Sequence, residues 1–265
     1  MTMERFDALK RLPENQNPKS QFAIEAMGHL FTSAGIKDLG PKTEDPGVPK
    51  KVEESQPITT ETVKIYPEIS LEQEWQRQAD RLLELGFHKE LIVDGKRIEL
   101  TAQEYSDSLP KFEPQPESFK GRLNTPVLAE TRISAKRQSE LAGIQYFLDG
   151  LNVKDWDKDP KKYKTPNSPY AVWTDEGARN MNRKVRDVRK KLAPDERGGT
   201  EFDGIALYIV KPQVLKTRFL DLPGTAVGSD FAPGLALWRG RPRLNRGFVG
   251  SADPRFSSLV CGRQK

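Results

Sequence analysis

The chain has 265 residues, 35% of them apolar and 31% charged, with a formal net charge of +5. That length holds one large domain or two small ones, and the low apolar share leaves part of the chain outside any core. A single cysteine, Cys261, excludes an intrachain disulfide. No apolar run is long enough for a bilayer span, and the N-terminus lacks the apolar core of a signal peptide, so the expectation is a soluble, cytoplasmic protein without a membrane partner.

Residues 1–69 read as a flexible tail with one short helix, at about 21–34, where Phe22, Ile24, Met27, Leu30 and Phe31 form a broad apolar face. Such a helix suits a groove on a protein partner. Between Gly40 and Pro67 the chain is rich in proline, which removes backbone donors and favours an extended linker. The folded domain is expected over 70–265. Ser70 and Gln73 make a capping box for a helix with a Leu71, Trp75, Leu82 and Leu83 stripe, ending at Gly86. Asp94-Gly95 supplies a hairpin turn within Leu91–Ile98, and Thr101 with Glu104 a second capping box. A loop with Pro110, Pro114 and Pro116 follows. A strand is expected at Val127–Ile133, a helix at about 135–144 and a short strand at Tyr170–Trp173. Asp175 and Glu176 suit the first turn of a helix over about 177–192, with Met181, Val185, Val188 and Leu192 at helical spacing. Ile205–Val210 fits either a strand or a helix. Thr200 with Asp203, and Pro212 beyond, favour the helix. Short strands near 235–239, 243–249 and 256–261 complete an α+β domain of short antiparallel strands and several helices.

Charge is unevenly placed. From Ala171 onward there are 18 Lys/Arg against 10 Asp/Glu, whereas the first 170 residues hold 25 against 28. The positive field belongs to the C-terminal part and suits nucleic acid or another polyanion. Arg239-Gly240-Arg241-Pro242 reproduces the core of an AT-hook, which threads arginines into a narrow minor groove. Four residues are a weak signal, and with Leu235, Leu237 and Trp238 before it and Leu244 after it the segment reads rather as a turn between two strands. Arg183 and Arg186, on the expected helix, join Arg239, Arg241, Arg243 and Arg246 as candidate phosphate contacts. Trp238 and Phe248 are candidates for stacking on bases.

The Trp75–Gly86 helix followed by Phe87-His88, the Arg137–Ile144 segment, Pro169-Tyr170, and the stretch from Leu237-Trp238 to Cys261-Gly262-Arg263 carry a resemblance. Over roughly residues 70–265 they resemble an uncharacterised bacterial family, known as a domain of unknown function and usually a small stand-alone protein. The resemblance implies no activity, no cofactor and no catalytic residues. It does imply that the Trp- and Arg-rich stretch belongs to the domain.

Candidates for catalysis are sparse. Cys261 needs a base to become a nucleophile, and His29 and His88 are the two histidines of the chain. Asp155, Asp157 and Asp159 imitate a calcium loop, but Pro160 stands where that loop needs glycine and Pro166 where it needs glutamate. No cofactor or metal motif is complete. The leading expectation is a non-catalytic binding protein. A small hydrolase or transferase using Cys261 or paired carboxylates, and a protein-interaction module using the N-terminal helix, are the alternatives.

Overall fold

The computed structural model describes residues 69–157 and 163–263. The tail, its helix at 21–34, the Pro-rich linker and the Lys158–Asp159 part of the calcium-like loop lie outside the described residues. In chain order the elements are α1 (Leu71–Glu84), β1 (Leu91–Val93), β2 (Lys96–Ile98), α2 (Ala102–Asp107), β3 (Thr125–Ala129), α3 (Ala135–Leu141), β4 (Gln145–Tyr146), β5 (Val153–Asp155) and β6 (Tyr170–Thr174). They continue with α4 (Val185–Lys191), β7 (Glu196–Gly198), α5 (Glu201–Val210), α6 (Val214–Thr217), β8 (Phe219–Asp221), β9 (Thr225–Val227), β10 (Phe231–Trp238), β11 (Arg241–Phe248), β12 (Phe256–Ser258) and β13 (Val260–Gly262). The class is α+β.

All three capping boxes form. Ser70 accepts from the Gln73 N–H at 3.1 Å while the Gln73 side chain accepts the Ser70 N–H at 2.8 Å, so α1 begins where its orphan donors are satisfied. Thr101 starts α2 and Thr200 starts α5 in the same way. Trp75, Ala79 and Leu82 carry the buried face of α1, and the Trp75 indole N–H donates to the Pro110 carbonyl at 2.9 Å.

Two larger sheets frame the core. One has the order β3-β6-β13-β7 and is antiparallel throughout. The other runs β12-β8-β10-β11-β4, with β9 joined to β10 and β5 to β9. Its β12–β8 and β11–β4 pairings are parallel. Helix α5 packs on β3 of the first sheet and on β10 of the second. It is therefore buried on nearly every side, as its continuous Ile205–Val210 run requires. Gly204 permits the close approach: a Cβ there would lie 2.6 Å from a Leu222 methyl.

The expected helix over 177–192 is corrected to α4 alone. Glu176, Gly177 and Asn182 have φ of +54°, +76° and +55°, which limit the chain upstream of Lys184 to one 3-10 turn, Ala178–Asn180. Asp175 does not sit in the first turn of α4 but three positions before Ala178, where the 3-10 turn begins. Its carboxylate accepts the N–H groups of Gly177 at 2.8 Å and Val260 at 2.9 Å, tying β6 to β13.

Within the core Arg197 and Asp203 form a buried ion pair with N–O distances of 2.5 and 3.0 Å. Asp203 also accepts from the Tyr170 hydroxyl at 2.9 Å and from the Thr200 N–H and hydroxyl at 2.6 and 2.8 Å. Burial alone would raise the Asp203 carboxyl, but the Arg197 charge and these donors hold it below the usual carboxylate range. Replacing Arg197 by Met strands that charge, and a loss of about 3–5 kcal/mol is expected in urea unfolding. The double variant Arg197→Met/Asp203→Leu should recover most of it. Equal instability of both variants would show that packing, not the stranded charge, sets the cost.

Candidate functional site

The C-terminal arginines lie on a long hairpin. Strands β10 and β11 pair without interruption from Phe231↔Phe248 to Trp238↔Arg241. Arg239 (φ +51°) and Gly240 (φ +76°) form the two-residue turn, with the two positive φ angles of type I′. The AT-hook core is therefore folded back on itself, as the turn reading anticipates. Side chains alternate across the sheet. Leu235 and Leu244, directly opposite one another, are fully buried on one face. Trp238 with Arg241, and Ala236 with Arg243, occupy the other.

Arg243 is the best-positioned member of the set. Its Nε donates to the Gln145 side-chain oxygen at 2.8 Å, fixing the guanidinium against β4. The guanidinium carbon then lies 5.3 Å from the Phe147 ring centre and 5.8 Å from that of Trp238. Both rings reach solvent, with 48% and 37% of their surface exposed. Arg246 lies on the opposite face, 4.9 Å over the Phe231 ring, and Phe248 meets Phe231 edge-on.

Arg183 and Arg186 are elsewhere. The Asn182 N–H donates to the Phe256 carbonyl and the Arg186 N–H to the Val249 carbonyl, which anchors this segment at the far end of β11. Val249 lies eight positions beyond Arg241, or roughly 27 Å of strand. The six arginines thus form a group at the tip (Arg239, Arg241, Arg243), a group at the base (Arg183, Arg186), and Arg246 on the reverse face. Arg183 also borders a cavity of about 240 Å³ together with Arg179 and Lys191.

Neighbouring arginines have internal roles. Arg179 pairs with Glu196 at 2.9 Å and Asp175 at 3.4 Å. Arg189 is buried, donates to the Pro223 and Thr225 carbonyls at 3.0 and 2.9 Å, and lies 4.4 Å over Trp156. Burial without a countercharge lowers its pKa to about 10. Among the described residues, Arg183, Arg186, Arg239, Arg241, Arg243 and Arg246 make no ion pair.

Cys261 is fully buried in β13 opposite Arg197, and burial pushes its thiol well above the usual range. It therefore presents no sulfur to a substrate. His88 packs beside Tyr105, with ring centres 6.3 Å apart. Asp155 accepts from the N–H and hydroxyl of Thr165, and Asp157 pairs with Arg263 at 2.8 Å. Among the described residues no group of three or more His, Cys, Asp or Glu is arranged to hold a metal, and no helix is long and apolar enough to cross a membrane.

Two acids that the sequence did not single out, the half-buried Glu201 and the buried Asp221, stand out with the buried Asp175. Burial raises Glu201 to about 7, Asp221 to about 7 and Asp175 to about 6. Glu201 accepts from the Tyr146 hydroxyl at 3.4 Å and borders a cleft of about 280 Å³ shared with Asp155, Lys164 and Thr165. Asp221 stands opposite Gly234 in the β8–β10 pairing, and its carboxyl accepts no hydrogen bond among the described residues.

No family model, no curated protein and no solved structure matches this chain.

The pKa of Asp221 has a consequence for stability. The folded chain keeps this proton to about pH 7, whereas the unfolded chain releases it near pH 4. Its contribution is therefore complete below about pH 4 and is lost as pH rises towards 7. Asp221→Asn should stabilise the protein at pH 8 by about 4 kcal/mol and give little gain at pH 4. Urea unfolding of both proteins at the two pH values checks this, and an equal gain at both would assign the effect to packing.

Proposed function

We propose that the protein binds single-stranded nucleic acid along the side of the β10–β11 hairpin that carries Trp238, Arg241 and Arg243. The observation that carries this reading is the Arg243 guanidinium, held by Gln145 between the exposed rings of Phe147 and Trp238. A fixed cation beside two solvent-facing rings offers a phosphate contact and two stacking surfaces at once. Sheet faces that combine aromatic rings with basic side chains are a recurring way to hold unpaired bases. In this reading Arg239, Arg241 and Arg243 contact phosphates at the tip. Arg183 and Arg186 extend the basic track at the base of the hairpin, whereas Arg246, on the reverse face over Phe231, lies outside it.

The turn itself supports the reading. A type I′ turn favours Asn, Asp or Gly at its first central position, yet Arg239 occupies it at φ +51°. A long basic side chain kept in a left-handed conformation, where a cheaper residue would close the same turn, fits a selected contact at the tip.

Fluorescence anisotropy of labelled single- and double-stranded oligonucleotides, titrated against salt, tests the proposal. Replacing Arg239, Arg241 and Arg243 together by Ala should weaken binding and reduce the slope of log K against log salt by roughly 2. Trp238→Ala should cost about 1–3 kcal/mol of binding with the slope unchanged. Arg239→Asn should weaken binding while raising thermal stability, a combination that a purely structural turn would not give. Unaltered binding in the triple variant removes the site, and a preference for duplex removes the single-strand assignment.

A further inference from the structure

A second site lies on the four-stranded sheet, away from the hairpin. A cleft of about 970 Å³ opens over Ala171, Trp173 and Gly262, a volume at the upper end of small-molecule sites. Six prolines line it: Pro110, Pro114, Pro116, Pro166, Pro169 and Pro194. Proline has no backbone N–H, so these positions give the wall rigid apolar surface and no donors. Phe119 and Trp173 add ring surface.

Three of the four charged groups of the wall are paired. Lys111 pairs with Glu72 at 3.1 Å and lies over the Trp75 ring, Asp195 pairs with Arg122 at 2.8 Å, and Arg263 pairs with Asp157 at 2.8 Å. Glu113 is exposed. One polar demand is left open: the Arg263 Nη1 is buried and has no hydrogen-bond partner among the described residues, while Nη2 of the same guanidinium holds both Asp157 oxygens. A buried donor without an acceptor carries a desolvation cost that an incoming acceptor relieves. An anionic ligand would meet no unpaired cation in the wall, whereas a neutral acceptor needs none.

We propose that this cleft binds a neutral small molecule with an apolar, ring-bearing body and a carbonyl-type acceptor. The acceptor takes the free Arg263 Nη1 donor and the ring lies against Trp173. The proposal is independent of nucleic-acid binding, because no residue of the cleft wall belongs to the hairpin.

Acetanilide, a neutral ring with one amide carbonyl, is a suitable probe for the full-length protein. Its titration should move the Trp173 indole N–H resonance saturably, with a Kd on the order of 1 mM for so small a molecule. Benzoate, with the same ring and a carboxylate, should bind about tenfold more weakly. Ser168 is an exposed wall residue, so Ser168→Trp should fill the cleft and abolish the shift while leaving the rest of the spectrum in place. Arg263→Lys keeps a countercharge for Asp157 and should weaken acetanilide about threefold to tenfold, without changing the response to toluene, which has no acceptor. No saturable shift, or an unchanged shift in Ser168→Trp, overturns the site. Benzoate binding more tightly than acetanilide overturns the neutral ligand class.

Discussion

The ion pair between Arg197 and Asp203 is the interaction on which the rest of the domain depends. Both side chains are withdrawn from water, and such a pair is tolerable only when every charge finds a partner at close range. Asp203 meets that condition through Arg197, Tyr170 and Thr200, so the same carboxylate that neutralises β7 also caps α5 and holds β6. The preceding residue in β7 is equally engaged: Glu196 receives Arg122 at 2.5 Å and Arg179 at 2.9 Å. A short segment, Glu196 to Asp203, thereby sets the position of the central helix relative to the four-stranded sheet. Helix α5 then presents Gly204 to Leu222 and Leu235, which seats the second sheet.

This arrangement also sorts the basic residues. The excess positive charge of the C-terminal part is not a uniform field. Arg179, Arg189, Arg197 and Arg263 are committed to carboxylates or carbonyls inside the domain. What remains for a partner is concentrated at the tip and base of the hairpin. Local concentration of unneutralised arginine, rather than the total, is what an anion responds to at physiological salt, where the Debye length is only about 8 Å.

Much of the local structure was legible because it depends on residues three positions apart. Ser70/Gln73, Thr101/Glu104 and Thr200/Asp203 each fix a helix start, and the last of these decided between helix and strand for Ile205–Val210. The Asp94-Gly95 hairpin was equally direct. By contrast β4, β5, β7, β8 and β9 have only two or three residues each, too few for an alternating pattern. The apolar spacing from Met181 to Leu192 imitated a long helix because side-chain period carries no information about the positive φ angles at Gly177 and Asn182. The candidate arginines were visible as residue types, but not their environments. Arg186 and Arg189 stand three apart in one helix, yet one is without an ion pair among the described residues and the other is buried against Pro223 and Thr225. The pairing of Arg263 with Asp157 spans 106 positions, and no short-range rule reaches that far.

The second edge of β11 carries a different implication. Strand β4 covers it only at Arg243 and Leu244, and Phe147 adds one hydrogen bond to the Leu244 carbonyl. From Asn245 to Phe248 that edge has no strand partner among the described residues, and Phe248 is 51% exposed. An uncovered edge beside an exposed ring is a template for strand-on-strand association between copies of the chain. Here Arg246 lies within that edge, so two such edges approaching one another bring like charges together. Coulomb repulsion therefore opposes such pairing, and concentrated salt, which shortens the screening length to about 3 Å at 1 M, weakens that opposition.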